Sequence, residues 1–222
     1  MRHFRSPSAA RAGRSVLLAA ALLLLSSCGS ALLPGAHSEP PTIYVLTPKS
    51  TFPADLPTVD WQLTIFVPTT DAALNTARIA VRRSPISLDY YAHANWVDTT
   101  PRMVQSLLVE SFENSGRIVG VGRQSVTLRA DYSLLTDLRE FQAEYVGDGP
   151  PRVRVSLNAK LIRMPQRDII AHKNFDFVEP AAGADLKSVV GAFDVALGKV
   201  LKRIVEWTLT AVPPQSPHPR GY

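Results

Sequence analysis

The chain has 222 residues, of which 45% are hydrophobic and 19% charged, and its mean hydropathy is +0.03. This composition is typical of a globular protein and excludes both a disordered chain and a polytopic membrane protein. The net charge of +5 does not indicate nucleic-acid binding. Four of the 24 basic residues and none of the 19 acidic residues precede residue 28, so the rest of the chain is nearly neutral.

Residues 1–27 have the pattern of a secretory signal. A basic stretch is followed by an uncharged apolar run at residues 16–25, which is shorter than the roughly 20 residues that span a bilayer. Leu25, two serines and Cys28 come next, and this segment resembles the lipobox of bacterial lipoproteins. The resemblance implies that the Cys28 thiol receives diacylglycerol and its freed amine an N-acyl chain. We expect no cofactor besides these covalent lipids, which together anchor the protein to a membrane.

Two alternatives stay open for this segment: an ordinary secretory signal with an incidental cysteine, and an uncleaved signal anchor. Gly29 follows Cys28 where inner-membrane lipoproteins commonly carry Asp, so the resemblance implies the periplasmic face of the outer membrane rather than the inner membrane. Cys28 is the single cysteine, and an intrachain disulfide is therefore excluded. Residues 28–41 are rich in Pro, Gly and Ser and predict a flexible tether.

The first half of the mature domain predicts four strands and a helix. Thr99, Thr100 and Pro101 are typical of a helix start, the apolar residues up to Phe112 keep helical spacing, and Gly116 ends the helix. β-branched and aromatic runs predict the strands, which lie at residues 42–46, 62–67, 78–82 and 89–96, the last leading into a loop.

The second half predicts four more strands and a long helix. Residues 152–161 alternate strictly between apolar and polar, which indicates a strand with one buried and one wet face. A change of phase between Leu134 and Leu135 predicts a β-bulge, and Asp185 caps the last helix. The remaining elements are strands at residues 117–121, 130–145 and 169–178, a helix at 186–209 and a disordered tail at 211–222.

These elements predict an α+β fold: one largely antiparallel or mixed β-sheet with two amphipathic helices packed on one face. The order shows no internal repeat. We expect a single domain over residues 42–210, preceded by the signal (1–27) and the tether (28–41).

No motif predicts catalysis. The five histidines are scattered and none has the spacing of metal ligands, nucleophile and phosphate-binding motifs are absent from the sequence, and acylation would consume Cys28. We therefore predict a protein that is not an enzyme and binds no metal.

Two groups of residues are candidates for binding a partner. The aromatic group around Tyr90 and Trp96 fits either a core plug or an interface. The basic residues Arg152, Arg154 and Lys160 share one face of a predicted strand. They fit either an ordinary solvated face or a docking surface for an acidic partner or anionic headgroups.

The order of motifs in the mature chain resembles a known family. Tyr44-Val45-Leu46 follows the lipobox and tether, Trp96 precedes Thr99-Thr100-Pro101, the first helix ends at Asn114-Ser115-Gly116, a strand carries Tyr132, Leu134, Leu138 and Phe141, and the last helix carries Trp207. Over about residues 28–209 this pattern is similar to the ABC-type transport auxiliary lipoproteins. One departure is the Thr-Thr-Pro run after the tryptophan, where the family more usually has small residues and proline.

The family resemblance implies a role rather than a reaction. Such lipoproteins serve ABC transport systems whose periplasmic component has an MCE domain, and these systems move lipids between the two membranes. The expected partners are an MCE-domain protein, the ABC permease and ATPase complex, the membrane through the lipid anchor, and further copies of the chain in a homo-oligomer. Nucleic acid is not expected. The alternatives are a stand-alone structural lipoprotein that assists outer-membrane assembly and, more distantly, a periplasmic hydrolase.

Overall fold

The computed structural model describes residues 40–124 and 130–212. The predicted signal, Cys28, nearly all of the tether and most of the predicted tail lie outside the described residues. Within the described part there are nine strands and two helices: β1 (Thr42–Tyr44), β2 (Val59–Ile65), β3 (Thr69–Thr70), β4 (Arg78–Ser84), β5 (Ser87–Trp96), α1 (Thr100–Ser115), β6 (Ile118–Arg123), β7 (Tyr132–Glu144), β8 (Arg152–Arg163), β9 (Asp168–Pro180) and α2 (Leu186–Ala211).

The long strand β7 holds the sheet together. One edge of β7 pairs with β8, which pairs with β9, and these three strands form the antiparallel meander that the sequence predicts. The other edge carries β2, β3 and β4 one after another, all parallel to β7. Beyond them, β6 pairs with β2, β5 with β4, and β1 with β5. The sheet is therefore mixed and divides into two arms on this side of β7.

The predicted α+β class, with one open mixed sheet and two helices, is confirmed. The position predicted for the bulge is wrong. Leu134 and Leu135 pair with Leu161 and Lys160 without interruption, and the register shifts between Leu138 and Glu140 instead. Leu135 breaks the apolar period for another reason. It is half-buried on the opposite face of the sheet, under the connection from β2 to β3. The sequence did not predict the short strand β3.

The core lies between the sheet and α2. The alternating apolar residues of β8 all face this helix and are fully buried: Val153, Val155, Leu157, Ala159 and Leu161. The carboxylate of Asp185 caps α2 by accepting hydrogen bonds from the Ser188 backbone N–H (3.0 Å) and from its hydroxyl (2.6 Å). Because these bonds favour the charged form, they lower the pKa of Asp185 below its usual range.

Helix α1 begins and ends where the sequence predicts. Pro101 occupies its first turn, and Gly116 ends it in the left-handed conformation, with φ of 61°. The helix packs on β2 and β6 and also contacts α2. Its N-terminal half lies near the carboxyl ends of these two parallel strands, because Arg102, Gln105 and Ser106 share a basin with Arg123 at the end of β6.

Candidate docking surface

The aromatic group of β5 is divided between the core and the surface. Trp96 is 1% exposed, and its ring packs edge-to-face on Phe193 of α2 (centroids 5.1 Å apart) and Phe141 of β7 (5.9 Å). This cluster ties β5, β7 and α2 together. The Trp96 ring is therefore not accessible to a partner in this structure. Its position is that of a core residue, the first of the two roles considered for it.

Tyr90 and Tyr91 are half-buried at the surface. The Tyr90 hydroxyl donates a hydrogen bond to the carbonyl of Ala73 (2.9 Å), and the Arg78 guanidinium lies 3.8 Å from the centre of its ring. Burial and a hydrogen bond with the Tyr145 hydroxyl (3.5 Å) raise the pKa of Tyr91 well above its usual range. Tyr90 keeps some exposed surface, but its hydroxyl and ring already have partners within the chain.

The three basic residues considered for docking do lie on one face of β8, the face away from α2. Two of them are paired: Arg152 Nε lies 3.3 Å from Glu144 Oε2, and Arg154 Nη2 lies 2.8 Å from Asp176 Oδ2. The hydrogen bond to Asp176 raises the pKa of Arg154. Of the three, only Lys160 has a side chain that forms no ion pair or hydrogen bond with another described residue. The basic face is therefore largely neutralised by acidic residues of the neighbouring strands.

Glu144 is the centre of this polar network. Its side chain is 9% exposed and contacts two guanidinium groups, those of Arg152 and Arg82, the latter at 3.5 Å. Arg82 also lies 3.3 Å from Glu140, and the amide of Gln142 donates to both carboxylates. A carboxylate this buried needs such partners because its desolvation is costly. The network therefore links β4, β7 and β8 on the open face.

The outer edge of β9 is the most extended candidate for docking. β9 has 13 residues and pairs with β8 alone among the described strands, so its second edge presents unpaired backbone N–H and C=O groups. A groove of about 600 Å³ runs between this edge and the C-terminal half of α2. Phe175 and Trp207 pack edge-to-face in its wall, with ring centroids 5.6 Å apart.

Some charged side chains of the groove have an ionic partner among the described residues, and others do not. Glu206 is paired with Lys202 (3.7 Å), and Asp176 with Arg154. Lys173 and Arg203 contact aromatic rings, those of Phe175 and Phe177, but neither forms an ion pair with a described residue. The groove therefore combines a free strand edge, an apolar wall and two available cations. The sequence did not point to it, because Phe175 and Trp207 are far apart along the chain.

The described residues show no centre for metal chemistry. Among residues 40–124 and 130–212, no three His, Cys, Asp or Glu side chains lie close enough together to hold a metal ion. In the same part of the chain, neither helix is both long and apolar enough to cross a bilayer.

Comparison with known proteins decides the family. Residues 44–205 match the profile of the ABC-type transport auxiliary lipoprotein component family. The chain belongs to this family. The resemblance drawn from the order of sequence motifs is thereby confirmed, and the family is one of transport auxiliary lipoproteins rather than of enzymes.

Individual proteins are also similar to this chain. The crystal structure of protein XCC0632 from Xanthomonas campestris is 34% identical, covers 77% of this chain and 95% of its own, and superimposes with a TM-score of 0.73. A second solved structure, of an uncharacterised protein, is 15% identical with a TM-score of 0.60 and covers 75% of this chain and 97% of its own. The protein bll6063 of Bradyrhizobium diazoefficiens is 33% identical over 80% of this chain. The matched region covers 47% of the length of bll6063.

Proposed function

We propose that this protein is a lipid-anchored periplasmic component of an MCE-type ABC transport system. In this role it docks the transporter to the outer membrane for lipid trafficking between the two membranes. The observation that carries the proposal is the family match over residues 44–205, which assigns the chain to auxiliary components of ABC transport. The lipobox at Cys28 and the tether after it supply the anchor and the reach that such a role needs.

The β9–α2 groove is the docking surface in this proposal. An extended segment of the MCE-domain partner adds to the free edge of β9 through main-chain hydrogen bonds. An apolar side chain of that segment packs on Phe175 and Trp207, and an acidic one faces Lys173 and Arg203. The polar face of β8 is a poorer candidate because its arginines already have acidic partners.

Site-specific photo-crosslinking in intact cells tests the proposal. A photoreactive residue replaces Asn174, which is exposed in the groove, in the full-length chain. Glu113, which is exposed on α1, is the matched control position. We expect ultraviolet light to link position 174, but not position 113, to an MCE-domain protein.

Other results of the crosslinking experiment reject parts of the proposal. Capture of outer-membrane assembly proteins alone, from any exposed position, supports the structural-lipoprotein alternative instead. Capture of an MCE-domain protein from position 113 but not from 174 keeps the transport role and rejects the groove. Separation of inner and outer membranes on a density gradient tests the location independently, since the proposal expects the protein with the outer membrane.

A further inference from the structure

The turn between β4 and β5 and the turn between β7 and β8 lie at the same end of the sheet. Arg82 and Glu144 are partners in the parallel pairing of β4 with β7. The Tyr145 backbone N–H then donates to the carbonyl of Arg82 (3.0 Å). The two strands therefore end at the same level, and residues 84–87 and 145–150 extend beyond it as neighbouring turns.

The chain enters the domain from the direction of the same end. β1 is parallel to β5, and Thr42 at the start of β1 lies beside Ala94. Since β5 runs from Ser87 towards Ala94, the backbone that leads into Thr42 comes from the direction of Ser87. We call residues 84–87 and 145–150 the entry end of the sheet.

The predicted lipid anchor is close to the entry end along the chain. Residues 29–40 separate Cys28 from the compact unit that begins at Pro41. These twelve residues span at most about 40 Å when fully extended. A bilayer that holds acylated Cys28 therefore stays close to the domain, and the entry end faces the direction from which the anchored chain arrives.

The entry end exposes apolar side chains to solvent. Ile86 is 97% exposed and Val146 is 65% exposed. Pro85 and Pro150, in the same two turns, are exposed as well. Turns usually carry Gly, Asn, Asp or Ser at such positions because these residues adopt the turn conformation and remain hydrated. The Ile86 side chain is almost entirely outside the core, so its apolar surface is available to a partner.

The polar side chains of the entry end are of types that suit a membrane surface. Arg83 is exposed, its guanidinium carbon lies 4.7 Å from the centre of the Tyr145 ring, and it forms no ion pair with another described residue. Arg and Tyr place an apolar stem or ring against lipid chains while their polar tips stay in water. Asp148 is exposed in the second turn and offsets the charge of Arg83. The apolar residues therefore dominate the chemistry of this end.

We propose that the entry end contacts the bilayer that holds the lipid anchor, with Ile86 and Val146 in its interfacial region. The proposal depends on the lipid anchor of the proposed function but not on the β9–α2 groove. Because the anchor already confines the domain near the bilayer, a contact by two side chains is enough to orient it, although that contact would not hold an unanchored chain. β9 ends at the level of the entry end, so its middle, with Asn174, stays clear of the bilayer.

Fluorescence quenching in phosphatidylcholine vesicles that carry the full-length, acylated chain tests the proposal. Acylation consumes the Cys28 thiol, so a cysteine introduced by Ile86→Cys or Val146→Cys is the one thiol that carries an environment-sensitive fluorophore. A nitroxide on some of the lipids quenches a fluorophore that touches the bilayer. Ile169→Cys is the matched control, because Ile169 is an apolar residue, 57% exposed, near the start of β9 at the opposite end of the sheet.

The two labels of the entry end are expected to behave differently from the control. Nitroxide lipids quench the labels at positions 86 and 146 about threefold or more as strongly as the label at 169, since interfacial side chains lie at the boundary of the acyl chains. Raising the salt from about 0.1 M to about 1 M leaves this quenching unchanged, because an apolar contact is not screened.

A second substitution tests whether the apolar surface makes the contact. Ile86→Glu, in the chain labelled at position 146, lowers the quenching of that label by about twofold or more, because a carboxylate is costly to move out of water. Ile169→Glu in the same labelled chain leaves the quenching unchanged. Both substitutions replace exposed side chains, and circular dichroism verifies that both variants fold.

Other results overturn the proposal. Equal quenching at positions 86, 146 and 169 means that the domain moves freely on its tether, and stronger quenching at 169 means that the opposite end faces the bilayer. Loss of the quenching at high salt assigns the contact to charge rather than to apolar side chains. Flotation separates these outcomes from failure of the anchor: a chain that does not float with the vesicles rejects both anchor and contact, whereas one that floats with equal quenching rejects the contact alone. None of these outcomes bears on the crosslinking at position 174.

Discussion

Arg82→Gln tests whether the polar network on the open face contributes to stability. The Arg82 guanidinium contacts two carboxylates, those of Glu140 (3.3 Å) and Glu144 (3.5 Å). Without it, these two acidic groups remain close together, hydrogen-bonded to the same Gln142 amide, with Arg152 as the cation nearest to Glu144. Because Glu144 is 9% exposed, water cannot replace the lost partner fully.

The expected loss in the free energy of unfolding lies between two known limits. Exposed ion pairs contribute about 0.2–1 kcal/mol, and breaking a fully buried pair costs about 3–5 kcal/mol. Arg82 is 34% exposed while Glu144 is nearly buried, so we expect Arg82→Gln to lower the free energy of unfolding by about 2 kcal/mol. For a domain of this size, that loss lowers the melting temperature by roughly 4–8 °C.

Urea denaturation of the compact unit that begins at Pro41 measures this loss. The midpoint shifts while the slope stays constant if stability alone changes. Arg139→Gln is the matched control on the same strand, because its pair with Asp137 is about half exposed on both sides (54% and 46%). We expect that control to lose less than about 0.5 kcal/mol. Equal losses of unfolding free energy in the two variants would show that the burial of Glu144 does not strengthen its ion pair with Arg82.

Three further predictions concern the anchor, the core and the cap of α2. Cys28→Ala leaves the domain folded but removes it from the membrane fraction after salt washing; retention at the wild-type level means that lipid is not the main anchor. Phe193→Ala opens a hole beside Trp96 and lowers the free energy of unfolding by about 4 kcal/mol, whereas Val195→Ala, 43% exposed on the same helix, changes it by less than about 0.5 kcal/mol; thermal denaturation compares the two. Asp185 has a pKa lowered in the folded state, so its contribution is present above its usual value of 3.8 and is lost as the pH falls through the folded-state pKa. The urea midpoints of wild type and Asp185→Ala therefore differ at pH 7 and converge toward pH 2, and a constant gap contradicts the capping role.

Local patterns in the sequence predicted the elements well because their causes are local. The strict alternation of residues 152–161 predicted both the strand and its buried face, since the period of two is set by the backbone itself. Thr99, Thr100 and Pro101 predicted the start of α1 in the same way. The class of the fold followed from the order of such elements.

Pairing across strands could not be predicted from the same patterns. Whether Arg152 and Arg154 are free or neutralised depends on which residues of β7 and β9 lie beside them, and this register follows from the whole sheet. Leu135 gives a second example: the change of phase was read correctly, but its cause is cover from a connection almost 70 residues earlier in the chain, at Phe66 and Val67. The groove beside β9 likewise exists only after α2 has packed.

The shared edge of β7 has a consequence for how the chain acquires its structure during synthesis. Among the described strands, β7 alone joins the arm that contains β2 to the arm that contains β4. A chain that emerges from the ribosome N-terminus first can therefore form no more than two separate small sheets until residue 144 is made. Contacts this distant in sequence form late. We expect the nascent N-terminal half to stay loosely folded for most of translation, a state compatible with the passage through a membrane that the predicted secretory signal would require.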